Sequence, residues 1–68
     1  MDYKQWAREN KSTIESISNK YSGSFVKALM VAFLYADMSN TEILLNTFPH
    51  YFEEIYNMHK IINQKRKE

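Results

Sequence analysis

Ser24-Phe25-Val26-Lys27-Ala28-Leu29-Met30-Val31-Ala32-Phe33-Leu34-Tyr35-Ala36-Asp37 is the stretch on which the fold turns. Its length and its Ala, Leu and Met content favour a helix over a buried strand. Ser24 is a suitable N-cap for it. Lys27 and Asp37 are its only charges, so a helix over 24–37 has to be covered around most of its circumference, by the rest of the chain or by a second copy. It is predicted to be the central element.

Toward the N-terminus, Ser22-Gly23-Ser24 breaks the chain. Before it, Tyr3, Ala7, Asn10, Ile14, Ile17 and Tyr21 recur on four- and three-residue steps, the stripe of an amphipathic helix. Ser12 and Glu15 form a capping-box pattern that would restart a helix after Asn10. The spacing favours one continuous helix over about 2–21.

Toward the C-terminus, Met38-Ser39-Asn40 reads as a turn, and Ser39 with Glu42 as a capping box opening a short helix over 40–47. Pro49 ends it, because proline disfavours helical geometry at Phe48 and suits a first helical position. A last helix is predicted over 49–65, with 64–68 a fraying basic tail. Glu53 and Glu54 near its start and Lys60, Lys65, Arg66 and Lys67 near its end follow the order the helix dipole favours. Phe52, Ile55, Tyr56, His59 and Ile62 share a face that Tyr51, Met58 and Ile61 widen, so the helix must pack closely on a neighbour or across a dimer.

The expected architecture is therefore all-α: one domain over 1–68, a small bundle of three to four helices with a radius of gyration of about 11 Å. Zero cysteines exclude a disulfide scaffold, a thiol nucleophile and Cys-ligated metal sites. The start of the chain carries an acid and no long apolar run, unlike a secretory signal or transit peptide. The longest apolar run, Ala28 to Ala36, is nine residues, about half a membrane span. A cytoplasmic protein without a membrane partner is expected.

Chemistry is sparse. His50, His59, Glu53 and Glu54 are the only grouping with metal-binding or proton-transfer character. His50 and Glu54 share a helix face, but His59 lies two and a half turns beyond His50 and faces away. No glycine-rich loop or nucleophile motif is present. No catalytic residue, cofactor or metal site is assigned, and the chain is not read as an enzyme.

Charge is distributed as a dipole. Residues 60–68 carry four bases and one acid, while 41–59 carry three acids and no Lys or Arg. Lys60, Lys65, Arg66 and Lys67 would be the phosphate contacts of a nucleic-acid accessory protein, the alternative function. A net charge of +1 is weak for that role, and Glu53 and Glu54 sit where a reading helix would approach DNA.

Ten aromatics in 68 residues exceed what so small a core needs, since such a domain buries only about 60% of its unfolded surface. Tyr and Trp at a surface anchor protein interfaces. The favoured function is accordingly a non-enzymatic protein-interaction module, binding a protein partner or itself as a homodimer, with Tyr3, Trp6, Tyr51 and Tyr56 as contacts.

Phe-x-x-Ala-Leu-x-x-Ala-Phe at 25–33, Ala36-Asp37-x-x-Asn40, Leu44 and Phe48-Pro49-x-Tyr51-Phe52 form a pattern that resembles small uncharacterised proteins of bacterial and mobile-element genomes. The resemblance spans residues 25–52 and implies a shared helical fold. It implies no activity.

Overall fold

Five α-helices follow one another in the computed structural model, which describes residues 2–66: α1 (Tyr3–Glu9), α2 (Lys11–Tyr21), α3 (Ser24–Tyr35), α4 (Met38–Thr47) and α5 (Pro49–Arg66). Among the described residues there is no strand. The all-α expectation holds, with five helices in place of three or four. The Cα radius of gyration is 11.5 Å, and the principal extents of 38 × 27 × 18 Å make the bundle elongated.

The expected helix over 2–21 is two helices. At Asn10 the backbone leaves helical geometry, with φ −131° and ψ 43°, and its side-chain Nδ2 donates to the Trp6 carbonyl at 2.8 Å. That bond satisfies one of the carbonyls a helix end leaves without a partner. Asn10 closes α1 and opens α2, whose first turn is built on the Ile14 N–H to Asn10 carbonyl bond of 3.0 Å. Ser12 and Glu15 lie inside α2.

The other boundaries move by a few residues. The N-cap of α3 is Gly23, not Ser24, and supplies no side-chain bond. α3 stops at Tyr35, and Asp37, expected at its end, instead caps α4, its Oδ1 accepting from the Asn40 N–H at 2.8 Å. Met38 and Ser39 are thus helical, and the expected turn shrinks to Ala36-Asp37. α5 begins at Pro49 as expected and reaches Arg66, so residues 64–66 of the expected fraying tail are helical; Lys67 and Glu68 lie outside the described residues.

The core comprises Trp6 and Ala7 from α1, Ile14 and Ile17 from α2, Leu29, Met30 and Phe33 from α3, Leu45 from α4, and Phe52 and Ile55 from α5. Phe33 and Phe52, both fully buried, stack tilted at 4.6 Å between centroids, and such aromatic pairs add about 0.5–1.5 kcal/mol beyond their buried area. α5 packs on α1, α2 and α4, and α2 packs on α1, α3 and α5. α3 packs chiefly along α2, so the prediction of a central hydrophobic helix over 24–37 is corrected. Its inner side is buried and its outer side is open to solvent.

Polar ties between side chains also lock the helices. Lys11 Nζ donates to the Ala36 carbonyl at 2.9 Å and to Thr41 Oγ1 at 2.6 Å, and it lies 5.1 Å from the centroid of Phe33. One ammonium thus joins α2 to the end of α3 and the first turns of α4, and it supplies charge where the α3 dipole is negative. On the other side, Arg8 of α1 grips Glu42 of α4 through two bonds of 2.6 and 2.8 Å.

Candidate interaction surface

Trp6, expected at the surface, is buried with 6% exposure. It is held by α5: its indole lies 5.1 Å from the ring of Tyr56 and 4.8 Å from the imidazole of His59. The stripe through Tyr3 and Ala7 turns Trp6 inward because α1 has only α5 to pack against on that side. It is a core anchor of the single chain.

Tyr3, Tyr51 and Tyr56 are half-buried. Tyr3 packs against the core, and burial, followed by the charges of Glu53 and Asp2, holds its phenol above the ordinary tyrosine pKa. Tyr51 makes an edge contact with Phe25 at 5.7 Å. Tyr56 carries Lys60 Nζ over its ring at 4.8 Å. The four proposed contacts therefore form no common exposed patch; their rings are largely engaged within the chain.

Of the four proposed phosphate contacts, Lys60 is exposed and spends its ammonium over Tyr56. Lys65 and Arg66 belong to the last turn of α5, and Lys67 lies outside the described residues.

The histidines diverge. His50 pairs with Glu54 across one turn at 3.0 Å, both exposed. His59, half-buried on α5, has its Nε2 2.9 Å from Asn63 Nδ2. Among the described residues no three of His, Cys, Asp and Glu converge as a metal site would require. Between α2 and α5 runs an open groove of about 390 Å³, lined by Ser12, Ser16, Lys20, His59 and Asn63 among others.

Among the described residues, an exposed apolar face runs along the outer flank of α3. Ala28, Val31, Ala32 and Tyr35 fall on one face at three- and four-residue spacing, opposite the buried Leu29, Met30 and Phe33. Tyr35 is 81% exposed, and Met38, just beyond, 85%. Phe25, 58% exposed, extends the flank at the other end. No charge interrupts it between Lys27 and Asp37. These residues went unassigned because the apolar run was expected to be enclosed. The signal that marks them is the run itself, which has apolar residues on every side of a helix in a chain too short to surround it.

No helix among the described residues is long and apolar enough to cross a membrane. The chain matches no protein-family model, no curated protein and no solved structure.

Proposed function

We propose that the protein is a small non-enzymatic interaction module whose contact surface is the outer flank of α3. The observation that carries this is the exposed series Ala28, Val31, Ala32 and Tyr35 along α3, with exposed Met38 just beyond at the start of α4. Leaving a series of this kind in water is unfavourable, and contiguous apolar patches on small soluble proteins mark sites of association. Tyr35 is the natural anchor, a large ring with few rotatable bonds to order and a hydroxyl for the rim. The surface thus passes from the first and last helices, where Tyr3, Trp6, Tyr51 and Tyr56 are engaged internally, to the third.

The test is oxidative labelling of methionines. Met38 is 85% exposed and Met30 is fully buried, so the two report the open flank and the core in one experiment. In dilute purified protein Met38 should label quickly and Met30 slowly. In intact cells producing the chain, Met38 should be protected toward the Met30 rate. Equal, fast labelling of Met38 in both settings would overturn the proposal.

A further inference from the structure

We infer that the occupant of the α3 flank is a second copy of the same chain, laid antiparallel along it about a twofold axis between Val31 and Ala32. The inference rests on the interaction surface proposed above and adds to it the partner and the register.

Charge selects the orientation. Lys27 and Asp37 are the only charges between Lys20 and Glu42, and they stand at opposite ends of the apolar flank. A parallel pair would bring like charges together at each end. An antiparallel pair brings Lys27 beside the partner's Asp37 at both ends, and it also sets the positive end of each α3 dipole against the negative end of the other.

Side-chain size selects the register. With the axis between Val31 and Ala32, Ala28 lies opposite the partner's Tyr35 and Val31 opposite the partner's Ala32. Each larger group meets a small one, so the two backbones approach closely while both tyrosines find room. Phe25 and the partner's Met38 then meet at the ends, a sulfur–aromatic pairing. A shift of one turn would set Tyr35 opposite Val31 and Ala32 in one direction and Ser24 and Phe25 in the other, and in both it would move Lys27 away from the partner's Asp37.

The area is of the right order. With about 200 Å² for a fully exposed aromatic side chain, Phe25 at 58% and Tyr35 at 81% leave roughly 280 Å² per copy, to which exposed Met38, Val31 and the two alanines add. A standard interface takes about 800 Å² from each partner. A polar rim that includes Lys27 and Asp37 brings the remainder. The same pairing covers the run from Ala28 to Ala36 on the side the single chain leaves wet.

Cysteine cross-linking tests it, because the chain has no cysteine of its own. Under mild oxidation, full-length A32C should link to itself, and A28C mixed with Y35C should give the heterodisulfide. A28C alone should not link, because antiparallel packing separates its two copies by about 10 Å along the axis. Self-linking of A28C would overturn the antiparallel arrangement. Sedimentation across the micromolar range should show the wild-type chain as a dimer and V31K as a monomer with an unchanged helical spectrum. A wild-type chain that remains monomeric, together with no self-link from A32C, would overturn the second copy as occupant. The labelling of Met38 in cells would still decide separately whether another protein covers the flank.

Discussion

Arg8 of α1 and Glu42 of α4, 34 residues apart, meet as a two-pronged ion pair, Nε 2.6 Å from Oε2 and Nη2 2.8 Å from Oε1. Lys4 Nζ donates to Asn46 Oδ1 at 3.2 Å, so two polar links tie α1 to α4. α1 has only seven residues, too few to be helical alone. Its persistence depends on this seam and on Trp6 behind it.

The hydrogen bonds from Arg8 hold the Glu42 carboxyl below its ordinary pKa. The unfolded chain therefore binds a proton at Glu42 more readily than the folded one. The pair's stabilisation is complete above the ordinary carboxylate pKa and disappears as pH falls through the lowered one. Melts followed by circular dichroism from neutral to acidic pH should show the melting temperature falling in that window, and E42Q should reduce the fall. Added salt should weaken the pair, since both groups face water. Equal acid sensitivity of the two proteins would show that the pair contributes nothing.

Lys11 should be the most costly polar residue to remove. K11M keeps an unbranched stem against Phe33 but withdraws the donor from the Ala36 carbonyl and Thr41, which is buried. The expected loss is about 1.5–3 kcal/mol, the range for hydrogen bonds from a charged donor, since Thr41 Oγ1 still donates to the Ala36 carbonyl at 3.4 Å. K20M, at an exposed position of the same helix, should stay within about 0.5 kcal/mol of wild type. Urea midpoints of the two variants, measured side by side, separate the outcomes.

Gly23 offers a gain. It caps α3 without a side-chain bond, its φ of −76° and ψ of 177° suit any residue, and a Cβ there meets nothing within 4 Å. No acid lies in the first turn of α3. G23D adds a capping acceptor, a negative charge at the positive helix end and a less flexible unfolded chain, together about 0.5–1 kcal/mol of stabilisation. A lower melting temperature for G23D would refute this.

The aromatic pair at the centre should tolerate no truncation. F33A removes the ring stacked on Phe52, at about 3–5 kcal/mol, which equals the whole surplus a domain of this size carries. It should be unfolded at room temperature by circular dichroism, whereas I14V, one methylene smaller in the same core, should lose only about 0.5–1.5 kcal/mol and stay folded.

Boundaries set by Gly23 and Pro49 were legible in the sequence because those residues act on the backbone directly. The break at Asn10 was signalled only by the Ser12 and Glu15 capping pattern after it, which the apolar periodicity outweighed. Ala7, Ile14 and Ile17 keep their helical spacing across it and all end buried, so periodicity carries no trace of a one-residue interruption stabilised by a bond to the Trp6 carbonyl. Asp37 and Ser39 both make plausible caps, and only the geometry of the turn selects Asp37. Burial of Trp6 was missed for a related reason: an aromatic one step off the apolar stripe reads as a surface residue until a wide helix such as α5 lies beside it. The open flank of α3 required knowing which neighbours each face has, and a run that is apolar on all sides does not reveal that.

Trp6, the sole indole in the chain, sits against the rings of Tyr56 and His59. Its fluorescence consequently reports a single seam, and detachment of the seven-residue N-terminal helix would change emission while most of the far-ultraviolet helical signal persisted. The protein carries its own optical gauge for its smallest helix, and no label has to be attached to use it.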